Sequence, residues 1–281
     1  MIRVSESGEN EPRSSKGAAA EAGLLLIDIG NSHVGMATWV SGKRGTAVHL
    51  PNDPIEPVVG RLVGLWNGLP TSGPRVAVVS SVCPPMMKRL EPMCEARGIG
   101  SILLIGRDID PPIRADVREP DKVGTDRLCN AAAAFAKLRQ ACVVADFGTA
   151  VTIDLVADNN YFMGGTIMPG IALAARALHE HTAQLPLVEV GTPTGTIGKD
   201  TVEAIRNGIF AMMVGALRET TERLATEIGK WPPLIVTGGN ARDIAGGCDF
   251  VDHVLPDLCL DGLVIAYLNA AARCDQGHEQ A

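Results

Sequence analysis

The sequence predicts an α/β fold of two related, facing lobes, each with a mixed sheet flanked by helices. Three observations predict it. A strand–turn–strand–turn–strand pattern occurs twice, helix and strand patterns alternate between and after the copies, and 46% apolar residues over 281 positions suffice to bury two cores.

The elements follow in chain order. Residues 1–22, rich in Ser, Glu, Gly and Ala, read as a disordered tail with no apolar centre of a signal peptide. The apolar run Leu24–Ile27 reads as a strand ending in Asp28-Ile29-Gly30-Asn31-Ser32. Residues 33–40 then form a second strand, 41–43 a turn and 46–50 a third strand. Helical spacing predicts helices over 54–68 and 85–97, alternating with strands over 76–80 and 101–105, and a helix over 125–138 leads into the second lobe. There the order repeats: a strand over 142–145 ends in Asp146-Phe147-Gly148-Thr149-Ala150, followed by strands over 150–156 and 161–167 around a turn at 158–160. Helices over 171–180 and 202–228, a strand over 234–237 and a final helix over 262–273 complete the chain. The lobes are thus expected over 23–140 and 141–275, with a short tail from 276 to 281.

The two Asp-x-Gly turns are 118 residues apart, Asp28 to Asp146. At a strand end an Asp can hold a cation, while the Gly permits a tight turn whose bare backbone N–H groups approach phosphate oxygens. Two such turns can grip one nucleoside triphosphate from both sides. Gly238-Gly239, after the strand over 234–237, lets backbone lie flat against a ligand such as the nucleoside. Gly124-Thr125-Asp126-Arg127 opens the helix over 125–138, where the dipole and free N–H groups favour anions. That segment reads either as a helix cap or as an Asp that takes a proton from a substrate hydroxyl beside an Arg that forks a substrate carboxylate.

Other features exclude. Gly195-Thr196-Ile197-Gly198-Lys199-Asp200-Thr201 fails the Walker template, with Pro193 at the first required Gly and Asp200 after the Lys, and reads as a polar loop capped at Asp200 or Thr201. His179-Glu180-His181 reads as a solvated helix end rather than a metal site. The net charge of −7 is spread without a basic stripe, which points away from nucleic acid and anionic membranes. Seven Cys without a C-x-x-C pair suit reduced thiols in a cytoplasmic protein, and no apolar run reaches the ~18 residues of a membrane span.

In this order Asp28-Ile-Gly-Asn-Ser, Gly124-Thr-Asp-Arg, Asp146-Phe-Gly-Thr-Ala-Val-Thr and Gly164-Gly165-Thr-Ile-Met-Pro169-Gly170, followed by Thr182-Ala-Gln-Leu-Pro186, resemble the type III pantothenate kinases of the acetate kinase, sugar kinase, heat-shock-70 and actin superfamily. The resemblance runs from about residue 23 to about 272. It implies two ribonuclease-H-like (actin-like) lobes, a homodimer, and phosphorylation of pantothenate by ATP with a divalent cation such as Mg2+ and a monovalent cation, K+ or NH4+. Carried over by position, it implies an ATP phosphate loop at Asp28, Ile29, Gly30, Asn31, Ser32, His33, Val34 and Gly35, with Thr149 as a further ATP contact. It makes Asp126 the proton acceptor, places Gly124, Thr125, Asp126, Arg127 and Thr201 at pantothenate, and makes Asp146 the ligand of the monovalent cation. Three positions depart from the pattern: Val117 stands where family members commonly carry Tyr, Ser32 where Thr is usual and Asp200 where Asn is usual. Two other readings accompany this one. A kinase of the same superfamily would act on another small hydroxyl substrate, and an ATP-binding regulatory protein would use lobe closure as a switch.

Overall fold

The computed structural model describes residues 22–193 and 195–278. Of the tail expected at 1–22 only Ala22 falls within them, and it is fully buried; of the tail expected at 276–281, the first three residues continue the last helix and 279–281 lie outside.

The first sheet begins with β1 (Gly23–Ile29) and β2 (His33–Val40), which pair antiparallel with Asp28 opposite Gly35. Ser41 and Gly42, both at positive φ, make the turn expected over 41–43, and a short β3 (Lys43–Arg44) begins at its last residue. β4 (Val48–Pro51) also pairs with β2. Helix α1 (Ile55–Asn67), β5 (Arg75–Ser81), α2 (Pro84–Glu95) and β6 (Ile102–Leu104) follow, with β5 parallel to β1 and β6 parallel to β5. The second sheet contains β8 (Cys142–Phe147), β9 (Ala150–Val156) and β10 (Tyr161–Pro169) as an antiparallel meander, then β11 (Leu234–Thr237) and β12 (His253–Val254), parallel to β8 and to β11. Both sheets therefore repeat one plan: a three-strand meander, its first strand innermost, extended by two parallel strands on the other side. This is the ribonuclease-H-like arrangement, present twice.

The helices set the layers. Because β1 is buried on both faces, its apolar residues alternate between two cores. Leu25, Ile27 and Ile29 pack against α1 and α2, while Leu24 and Leu26 pack against α7 (Leu258–His278) through Leu260, Leu263 and Val264. The second sheet is covered on one side by α4 (Ile171–Glu180), α5 (Thr201–Ile228) and α6 (Ala241–Ala245), and on the other by α3 (Thr125–Leu138) through Leu128, Ala131 and Ala134. The chain thus crosses between sheets: α3 and the short β7 (Arg114–Ala115), both before residue 140, join the second sheet, and the final helix returns to the first. α3 and α7 meet at backbone distance, since a Cβ on Gly262 would overlap the Cys129 carbonyl. Any residue but Gly at 262 would force these two helices apart.

Candidate active site

The site forms where β1, β8 and β9 and the start of α3 converge. β1 brings Asp28, β8 brings Asp146, β9 brings Asp154, and the first turn of α3 brings Asp126. Asp126 is felt by Asp28 and by Asp146, and Asp154 by Asp126 and Asp146. Burial, then the Asp126 charge and more weakly that of Asp146, pushes Asp28 up to about 7, with the Cys259 thiol and Ser80 hydroxyl pulling the other way. Asp146 is pushed up to about 6 by burial and by Asp126, although Asn130 Nδ2 donates to it at 2.8 Å. Asp126 is raised mainly by burial, and its Oδ1 accepts from the Arg127 backbone N–H at 2.8 Å.

The two Asp-x-Gly turns meet across the cleft: the Thr149 hydroxyl donates to Ser32 Oγ at 2.8 Å. Behind the first turn, Asn52 Nδ2 donates to the Asn31 carbonyl at 2.7 Å and Asn52 N–H donates to the Ser32 carbonyl at 3.0 Å, fixing the loop's backbone. Beside it, the His49 ring lies over Gly35, 3.0 Å from where a Cβ would stand, and its Nε2–H donates to Asp257 at 2.5 Å. The second turn is held by Gly238, at φ 91°, whose missing Cβ would overlap Asp146 Oδ1 and crowd Phe147. The close approach at Gly238 is thus made to the chain's own second turn.

Gly124 caps α3, and the Thr125 hydroxyl shares a hydrogen bond of 2.9 Å with Ser80 of β5. Arg127 is already engaged within the chain along one edge. Its Nε donates to Asp154 Oδ2 at 3.0 Å and its Nη2 to Asp154 Oδ1, so the fork already holds a carboxylate of its own chain. Both side chains are enclosed, at 14% and 3% exposure, and the guanidinium lies 5.2 Å from the Phe162 ring centre. Gly165 makes room for this pair, because a Cβ there would overlap the Ile153 carbonyl and stand 2.5 Å from Asp154 Oδ1. Beside Arg127 opens a pocket of about 250 Å3 lined by Val117, Glu119, Lys122, Val123, Phe162 and Gly164–Gly165.

Thr201 sits apart, exposed at the start of α5, where Asp200 caps the helix by accepting from the Glu203 N–H at 2.8 Å. His179 Nδ1–H donates to the Leu185 carbonyl at 2.8 Å on an exposed surface. Sequence reading missed Ser80, Asn130, Asp154, Asn52 and His49. Of these only Asp154, a carboxylate inside an apolar strand, carried a local signal.

The residues fit cations. Among the described residues no three His, Cys, Asp or Glu side chains come close enough to cage a metal by themselves. A cation here would complete its shell with phosphate oxygens and water, as Mg2+ commonly does. Carboxylates raised by burial and by the Asp126 charge, and the buried Asn130 Oδ1 lacking a partner beside Asp146, are the chemistry such an ion would satisfy.

A family model for type III pantothenate kinases matches residues 24–223. A type III pantothenate kinase of Dehalococcoides mccartyi is 34% identical over 249 residues, covering 87% of this chain and 96% of the relative. One of Bacillus cytotoxicus is 33% identical over 261 residues, covering 90% and 99%. Among solved structures, component A of the (R)-2-hydroxyglutaryl-CoA dehydratase of Acidaminococcus fermentans is 12% identical with a TM-score of 0.52, covering 90% of this chain and 98% of that one. This last likeness shows a shared fold alone.

Proposed function

Because the chain belongs to the type III pantothenate kinase family, we propose that it transfers the γ-phosphoryl group of ATP to the primary hydroxyl of pantothenate, giving 4'-phosphopantothenate in the first step of coenzyme A biosynthesis. The observation that carries the reading is the meeting of the two Asp-x-Gly turns at Ser32 and Thr149, with Asp126 at a helix start beside a small pocket.

In this assignment the backbone from Asp28 to Gly35 and the Thr149 hydroxyl hold the phosphates, and Asp126 accepts the hydroxyl proton. Phosphoryl transfer asks for alignment and charge neutralisation more than for covalent help from the protein. A divalent cation, Mg2+, would be held at Asp28, and a monovalent cation, K+ or NH4+, at Asp146. Bound there, they would supply positive charge to the phosphates. Gly124 keeps the Asp126 carboxylate pressed to the helix start, since a Cβ at 124 would stand 2.5 Å from Asp126 Oδ1. Pantothenate would occupy the pocket beside Arg127, and Thr201 would contact it only through a rearrangement or a second subunit.

A homodimer is the assembly this reading adopts, supported by exposed apolar side chains on β10, α4 and α5: Met163, Ile167, Leu173 and Met212. A cytoplasmic setting agrees with seven cysteines that form no disulfide. Among the described residues no helix is long and apolar enough to cross a membrane. The test is ADP release coupled to a spectrophotometric readout, with and without pantothenate, in potassium, ammonium or sodium salts. Pantothenate-dependent release that needs potassium or ammonium is expected. Release indifferent to pantothenate would refute the substrate, and equal rates in all three salts would move Asp146 to another role.

A further inference from the structure

An anionic substrate needs a cation, and the obvious one is occupied. Arg127 spends its Nε and Nη2 edge on Asp154, a buried partner it cannot release without stranding a charge in the core. Its plane is further fixed against Phe162. One other cation lines the pocket. Lys122 closes the short 3-10 turn Pro120–Lys122 that precedes Gly124, and its Nζ lies 2.6 Å from Glu119 Oε1. That pair is open to water, with Lys122 at 74% and Glu119 at 64% exposure. An ion pair so exposed holds its partners weakly, so the ammonium can exchange one carboxylate for another at little cost.

We propose that Lys122 is the specificity-determining residue for the substrate's carboxylate, leaving Glu119 to meet it at the pocket mouth while Arg127 acts as wall and support. The inference rests on the assignment of pantothenate to this pocket. The apolar walls Val117, Val123 and Phe162 suit the body of such a molecule, and the charged mouth suits its acidic end. A point charge on a flexible stem requires no fixed fork geometry, unlike a guanidinium. Glu119 then acts as a gate against selectivity: it competes with the substrate for Lys122, and its own charge opposes an incoming anion.

The experiment compares pantothenate with its neutral primary amide, which keeps the reacting hydroxyl and loses the negative charge, in the full chain and in Lys122→Gln, Lys122→Arg and Glu119→Gln. With Lys122→Gln the KM for pantothenate should rise about 3- to 10-fold with kcat nearly unchanged, while the KM for the amide stays put. Lys122→Arg should restore most of the preference, and Glu119→Gln should lower the KM for the acid. The acid's advantage in the unaltered chain should shrink as ionic strength rises, as expected of an exposed charge contact. An acid-to-amide KM ratio that Lys122→Gln leaves unchanged, or KM values for both that rise together, would overturn the proposal. An unaltered chain that releases no ADP in response to pantothenate would instead overturn the substrate assignment beneath it.

Discussion

Asp154→Asn tests the ion pair on which the pocket rests. Asp154 is 3% exposed and takes both Nε and Nη2 of Arg127, itself 14% exposed. Removing one partner of a buried pair costs roughly 3–5 kcal/mol, because the other charge is left unpaired. The amide keeps the shape and one acceptor, yet turns an N–H donor toward a guanidinium that is also a donor. Against this, losing the Asp154 charge relieves Asp126 and Asp146, both of which it raises. The net expectation is at or just below the bottom of that range, about 2–3 kcal/mol. For a chain of this size each kcal/mol corresponds to ~2–4 °C in Tm, so a loss of about 5–10 °C is expected by calorimetry. The double variant Arg127→Gln/Asp154→Asn should recover part of that loss, since it carries no orphaned cation, and the departure from additivity measures the coupling. A Tm within about 2 °C of the original for Asp154→Asn, or strictly additive effects, would show that the pair does not hold the pocket wall.

Asp126→Asn should abolish turnover while ATP still binds, with a loss of about 10²–10⁴ in kcat; near-normal turnover would remove Asp126 from the chemistry. Since Asp126 must be ionised to accept a proton and its carboxyl is raised by burial, kcat/KM should fall on the acid side at a higher pH than an ordinary carboxylate would dictate, and an acid limb at ordinary carboxylate pH would contradict this. Asp28 at about 7 and Asp146 at about 6, against an ordinary 3.8, bind protons more tightly folded than unfolded. The stability they lend is complete below the unfolded value and is lost progressively as pH climbs from about 4 through about 6 to 7, so the metal-free Tm should drop across that window and level off above it, and magnesium with potassium should flatten the drop. Val117 lines the pocket 3.4 Å from where a Cβ on Gly164 would stand. Val117→Tyr should lower the KM for pantothenate or leave it unchanged without reducing kcat, the added contact being worth on the order of 1–3 kcal/mol; loss of activity would mean that the ring displaces a neighbour.

Much of this protein is written locally. The alternation and turn residues around Asp28 and Asp146 sufficed for the two meanders, because a strand buried on both faces must be continuously apolar and an abrupt Asp-x-Gly can only end it. The long helices were legible from their spacing, to within a residue at the start of α5 and four at that of α7. What needed the tertiary structure were pairings between distant segments. No local pattern says that α3 covers the second sheet while α7 returns to the first, since either amphipathic face could bury against either sheet; the choice is made where Gly262 admits the Cys129 backbone. The same holds at the site. Sequence places an Asp and an Arg side by side and suggests a fork free for substrate, but whether that fork is free depends on a carboxylate 27 residues away, brought to it by strand β9. Residue types and spacing determine which groups can do chemistry, whereas only the packed chain decides which of them are already bound to each other.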